Sequence, residues 1–211
     1  GVLAHDQNLQ RRAGKPIDLA QTTFRELSQI FVDVGFEAQT PPAKLPSLAD
    51  AIIHARKLSL GLVIELKLNT SDGTNDEESY RQIQAEHTVA ALVQTLRQLP
   101  FQHGPLLCSS FSVEAITYIH QRLPHIPRAL TCRQLPEHWQ QLLHRLQLDQ
   151  FHLHRQAQAL HQQDLLQSVQ ATGTPIYCFT VNQQQEFEQL MQMGITGVFT
   201  DKPLILPTSE N

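Results

Sequence analysis

From Ser47 onward the hydrophobic positions of the 211-residue chain switch repeatedly between two periods. Short apolar runs rich in β-branched residues predict strands, and stripes spaced three and four residues apart predict helices. Ser47 and Asp50 have capping-box spacing, and Leu48, Ala51, Ile52 and Ala55 continue as a helical stripe. A strand follows over residues 60–66. Beyond the polar loop NTSDGTND comes a long helix with the stripe Val89, Leu92, Val93, Leu96. PLLCSSF then predicts a strand, and Val113, Ile116 and His120 mark the helix after it. IPRALTC, DQFHLH, PIYCFTVN and ITGVFTDKP are the later strand candidates. The helices between them carry Trp139, Leu142, Leu143, Leu146; then Leu165, Leu166, Val169, with Gly173 as terminator; then Phe187, Leu190, Met191, with Gly194 following.

Strands that recur every ~20–25 residues with a helix between them suit βα units of a parallel sheet. An open doubly wound sheet and a (β/α)8 barrel both satisfy that pattern. No strand is followed by a glycine-rich dinucleotide loop, as many open sheets would require. Polar residues collect instead at C-terminal strand ends: Glu65 and Lys67, Ser109 and Ser110, Thr180 and Asn182, Thr200 and Asp201. A barrel gathers those ends around one mouth, so the distribution favours the barrel. Six strands are legible where a barrel needs eight and about 250 residues. The expectation is a single barrel domain over residues 1–211 that lacks roughly its first two βα units.

One run stands out within this pattern. In LGLVIELKLNT, Leu62, Val63 and Ile64 read as a strand buried on both faces, where an unpaired charge is costly. Glu65 and Lys67 share a strand parity and point to the same side. They either neutralise each other at a strand end or serve something in that space. Elsewhere, His152 and His154 share one face of their strand. An H-x-H pair can bind zinc, but no third ligand stands at a useful spacing, and the eleven histidines make local composition the simpler account. Arg11 and Arg12 offer positive charge to an anionic substrate, against the plainer reading of them as surface arginines.

Composition narrows the function classes. The formal charge of −4 argues against a general nucleic-acid surface. No apolar run reaches the length of a membrane span, so no stable membrane insertion is expected. Cys108, Cys132 and Cys178 are an odd set without metal spacing; buried free thiols and a reducing, cytoplasmic compartment follow as the expectation. The chain starts at Gly1 without Met, so a segment upstream remains open.

The order of motifs carries a resemblance. VLAHDQNLQRRAGK, LPSLADAI, LVIELK, SSFS, FTVN and GITGVFTDKP resemble, in identity, order and spacing, the glycerophosphodiester phosphodiesterase family, from Val2 to about Leu206. The resemblance implies a (β/α)8 barrel that hydrolyses small-molecule glycerophosphodiesters to sn-glycerol 3-phosphate and an alcohol with a divalent metal ion, Mg²⁺ or Ca²⁺. By the same resemblance His5 is a catalytic histidine, with Asp6 orienting it or its loop, and Glu65 is a metal ligand. Lys67 is a cation beside the phosphate, Ser110 with Phe111 matches the Ser-Phe pair after the fourth strand, Phe179 lines the glycerol pocket, and Asn182 helps hold substrate.

Phe179 stands where the family usually has tryptophan, keeping a ring without the indole donor. The family's His-Arg-Gly and Glu-x-Asp motifs, which carry the second catalytic histidine and two further metal ligands, do not occur in these residues. Two alternatives accompany the enzyme reading: a catalytically inactive phosphate-ester-binding barrel, and a lipid-directed phospholipase D-type relative on the same fold.

Overall fold

The computed structural model describes residues 1–33, 41–68, 77–101 and 104–204. The loop NTSDGTND and Leu206 lie outside the described residues. The chain divides into two compact units, Gly1–Leu106 and Leu107–Asn211.

The first unit opens with two one-turn helices, α1 (Gln10–Ala13) and α2 (Phe24–Leu27), and an antiparallel pair of two-residue strands, β1 (Phe31–Val32) and β2 (Ala43–Lys44). Elements this short do not hold themselves together. Their stability comes from a small core of Leu9, Leu27 and Val32, against which Val2, Ala13, Ile17, Leu19, Ile30 and Leu45 pack. Gly14, at φ +65°, ends α1 in the left-handed conformation that glycine adopts without steric cost. Helix α3 (Leu48–Lys57) has the capping box read from the sequence: Ser47 Oγ accepts from the Asp50 N–H, and Asp50 accepts from the Ser47 N–H. Leu48, Ile52 and Ala55 are its buried face.

Strand β3 (Leu62–Glu65) corrects one expectation. It is not buried on both faces: Ile64 is buried whereas Val63 is 48% exposed, the alternation of a strand covered on one side. The run of apolar residues hid this, because hydrophobic identity alone does not reveal which face is covered. Helix α4 (Glu77–Gln98) follows, burying Ala85, Val89, Leu92 and Leu96.

The second unit is a succession of βα steps. Strands β4 (Leu106–Ser110), β5 (Arg128–Cys132), β6 (Gln150–His154), β7 (Ile176–Phe179) and β8 (Gly197–Val198) pair in chain order, all parallel. Registers such as Leu130 with Phe151 and His154 with Phe179 place like-facing side chains together. Helices α5 (Val113–Arg122), α6 (Trp139–Leu146), α7 (Gln163–Gln170) and α8 (Gln184–Gln192) fall between them, as the periodicity predicted. A single turn of 3₁₀ helix, Gln158–Leu160, precedes α7 and was not legible in the sequence.

Trp139, Leu142, Leu143 and Leu146 are all buried on α6, and the Trp139 ring meets Phe151 edge-on at 6.1 Å. Gly173 and Gly194 adopt φ of +73° and +79° after α7 and α8. Cys108, Cys132 and Cys178 are free and buried, and burial pushes each thiol up to about 12. Among the described residues no helix is long and apolar enough to cross a membrane.

Candidate active site

In the first unit the candidate side chains, His5, Glu65 and Lys67, sit on a loop and at a strand end. The amino-terminal segment is tied to the start of α3: the Leu3 N–H donates to the Pro46 carbonyl, and the Leu48 N–H donates to that of Gly1. The loop after His5 is closed by backbone bonds from Leu9 to Ile17 and from Leu19 to Gln7, and Leu9 anchors it in the core. His5 therefore projects from a constrained loop, with its side chain 75% exposed.

Its Nδ1 lies 2.7 Å from Asp6 Oδ1. Arg11 donates to the same carboxylate from Nε at 2.7 Å and from Nη2 at 2.9 Å. Arg11 first, and His5 second, hold the Asp6 carboxyl well below the usual range. An ionised carboxylate only accepts, so Nδ1 carries the hydrogen and Nε2 is left to exchange a proton. In the sequence this pairing leaves no signal, because an Asp-to-Arg spacing of five residues within a loop has no periodicity.

Lys67 Nζ donates to Glu65 Oε1 at 2.7 Å, each side chain about one-third exposed. The shared parity thus brings the two together at the end of β3, with Lys67 just beyond the strand. This is the strand-end ion pair that the sequence offered as the plain alternative, and it keeps an acid and a cation within one hydrogen bond at an accessible position.

In the second unit the residues singled out in the sequence sit at or just beyond strand ends. Ser110 is buried, and its hydroxyl accepts the Ser112 N–H at 3.1 Å. Phe111 next to it is 45% exposed and meets the Phe179 ring at 5.7 Å, nearly perpendicular. Phe179 also meets the His154 ring at 5.5 Å. Asn182 is locked from both ends of its amide: Oδ1 accepts from the Asp201 N–H at 2.8 Å and Thr200 Oγ1 at 3.2 Å, and Nδ2 donates to Asp201 Oδ2 at 3.2 Å. Thr200 and Asp201, two of the polar residues at strand ends, thus fix this junction. The histidine pair divides. His152 is buried between Tyr177 and Phe199, with Nε2 3.2 Å from Gln150 Oε1, whereas His154 sits half-buried against Phe179.

A hard divalent cation takes six or more oxygen ligands, several of them carboxylate. Among the described residues no group of three or more His, Cys, Asp or Glu side chains lies together, and Glu65 supplies one carboxylate that already accepts from Lys67. The described side chains do not by themselves complete a cation site.

With this geometry in view, likeness to known proteins is informative. The profile of the Glycerophosphoryl diester phosphodiesterase family matches residues 1–205. A glycerophosphodiester phosphodiesterase of Bacillus altitudinis is 23% identical over 204 residues, 96% of this chain and 77% of the relative. The structure of an Oleispira antarctica phosphodiesterase, in complex with the product sn-glycerol-3-phosphate, is similar with a TM-score of 0.79 and 29% identity, over 96% of this chain and 76% of that one. A glycerophosphodiester phosphodiesterase from Parabacteroides distasonis shares the fold at 20% identity, with a TM-score of 0.72 over 95% of this chain and 73% of that one. These likenesses give the α/β fold its TIM-barrel-like class. The match of the family profile to nearly the whole chain shows that it belongs to the glycerophosphoryl diester phosphodiesterase family, a family of phosphoric diester hydrolases.

Proposed function

We propose that this protein hydrolyses glycerophosphodiesters to sn-glycerol 3-phosphate and an alcohol. The observation that carries the reading is the likeness, over 96% of the chain, to the Oleispira phosphodiesterase whose structure holds sn-glycerol-3-phosphate. The side chains support it chemically. Breaking a phosphodiester requires a group that moves a proton and groups that offset charge on the phosphate oxygens. His5, oriented through Nδ1 by Asp6, exchanges the proton at Nε2. Lys67 offsets phosphate charge, Ser110 and Asn182 offer hydrogen bonds, and Phe179 lines the glyceryl pocket.

A requirement for Mg²⁺ or Ca²⁺ belongs to the same proposal, through Glu65 as one oxygen ligand. So do the single-domain (β/α)8 reading, which the βα succession of the second unit supports, and a reducing, cytoplasmic setting, which the free buried thiols support. The direct test is release of sn-glycerol 3-phosphate from glycerophosphocholine and glycerophosphoethanolamine, with and without a chelator. Release that the chelator stops is expected; no release from either diester would overturn the reading.

A further inference from the structure

We infer that His154 is a substrate-contacting residue whose Nε2–H binds a hydroxyl of the glyceryl moiety. This rests on the proposed glycerophosphodiester substrate and extends it to a residue that the motif series does not include. His154 is the last residue of β6 and pairs in register with Phe179, the last residue of β7. The backbone locks that junction, since the Arg155 N–H donates to the Phe179 carbonyl at 2.8 Å.

The ring itself is held twice. It meets the Phe179 ring in a T-shaped contact at 5.5 Å and 74°, and its Nδ1 accepts the Gln156 N–H at 3.3 Å. A nitrogen that accepts a backbone N–H carries no hydrogen, so the hydrogen of the neutral ring is on Nε2. Nε2 has no partner among the described residues. Arg155, the neighbouring cation, is engaged by Glu186 at 2.8 Å.

The contrast with His152 on the same strand face is informative. That ring is 2% exposed, enclosed by Tyr177 and Phe199, and its Nε2 is opposite Gln150. One histidine is sealed into the interior and paired. The other is half-exposed at the strand end with a free donor directed by a backbone bond. A single neutral N–H beside an aromatic wall of Phe179 and Phe111 suits a polyol, whose carbons lie on the ring and whose hydroxyl accepts the hydrogen bond. A phosphate would instead favour a cation such as Lys67.

Two variants separate the donor from the packing. H154F keeps a ring against Phe179 and removes the donor; H154Q offers an amide N–H near the position of Nε2. Kinetics with a glycerophosphodiester and with its 2-deoxy and 3-deoxy glyceryl analogues should show one deoxy analogue losing roughly tenfold in kcat/KM with wild-type enzyme, the size of one hydrogen bond. H154F should lose a similar factor on the full substrate through KM, show no further loss on that analogue, and be partly rescued by H154Q. Equal discrimination by H154F and wild type would overturn the inference. If the wild-type chain hydrolyses no glycerophosphodiester, the proposed function fails. Titration with sn-glycerol 3-phosphate then judges His154 alone: binding weakened in H154F upholds it, and binding that is absent or unchanged overturns it.

Discussion

Arg11 grips both oxygens of the Asp6 carboxylate, with Nε at 2.7 Å and Nη2 at 2.9 Å. The consequence reaches the neighbouring imidazole, because Asp6 Oδ1 also lies 2.7 Å from His5 Nδ1. The guanidinium fixes the carboxylate in place and in charge, and the carboxylate fixes the ring. A planar fork suits this task better than an ammonium would. Arg11 is therefore a positioning residue that acts on His5 through Asp6.

Arg11→Leu should lower kcat by on the order of 10²-fold, the penalty expected when a reacting group is misplaced by about an ångström, with KM little changed. The sign of the pH effect follows from the electrostatics. Arg11 is the larger of the causes that hold Asp6 low, so removing it lets the Asp6 carboxyl rise toward its ordinary value. Asp6 then takes up a proton at higher pH and releases His5 earlier on acidification. The acid limb of the kcat profile should move upward in pH, and Arg11→Lys should move it less. A profile that falls in amplitude without moving would reduce Arg11 to a loop brace.

Glu65→Gln is the sharpest test of the strand-end pair. It preserves shape and removes the charge that both Lys67 and the proposed cation require. Release of sn-glycerol 3-phosphate should fall by at least about 10²-fold, the scale of losing one preorganised electrostatic group. Lys67→Met should act mainly by raising KM for the anionic substrate. Wild-type turnover in Glu65→Gln, measured at saturating substrate and metal, refutes the assignment and leaves the pair as a structural tie.

What the sequence made legible follows from which interactions are periodic. The helices α5 to α8 each bury one regular face, and a residue such as Ile116 or Leu142 records that burial in its spacing, while the strands between them are legible as short apolar runs, β5 being buried along its whole length. The Glu65–Lys67 contact was legible for the same reason, as strand parity alone brings the two together. The one-turn helices α1 and α2 and the strands β1 and β2 were not, because elements of two to four residues complete no period and depend on the remote trio Leu9, Leu27 and Val32. The grip of Arg11 on Asp6 depends on loop closure, and the difference between His152 and His154 depends on what encloses each ring. Neither leaves a trace in residue order. Val63 shows the converse error, a β-branched residue that reads as core yet stands 48% exposed.

Arg128 gives a prediction about stability. It is 3% exposed, and among the described residues none of the bonds from its guanidinium goes to a carboxylate. Nη1 donates to His120 Nδ1 at 2.5 Å and to the Leu146 carbonyl at 3.3 Å, and Nη2 to the carbonyls of Pro124 and Ile126 at 2.6 and 3.0 Å. The side chain thus ties the ends of α5 and α6 and the turn into β5, where carbonyl groups lack helical partners. Arg128→Met keeps much of the volume but leaves several buried acceptors unsatisfied, at about 2–4 kcal/mol. Urea denaturation should show that loss in the midpoint, with the slope unchanged. A loss under about 0.5 kcal/mol, the scatter of ordinary surface substitutions, would mean that water replaces these bonds freely.

His152 should give the fold its acid sensitivity. The ring is 2% exposed between Tyr177 and Phe199, and burial lowers its pKa from 6.5 to about 4. In the unfolded chain the same imidazole titrates near 6.5. Between those values the unfolded state binds a proton that the folded state refuses, so stability rises with pH across the interval. On acidification from pH 6.5 the protein should lose stability progressively, by on the order of 3 kcal/mol at pH 4 from this group alone. Below that value the folded form protonates as well and the contribution levels off. His152→Phe keeps a flat ring among the aromatic neighbours and removes the titration. Thermal melts at pH 7, 6, 5 and 4 should therefore show a shallower fall in Tm for the variant than for wild type, even if the variant is less stable at pH 7. Parallel curves would show that the ring accepts its proton without unfolding and that the aromatic enclosure is open to water.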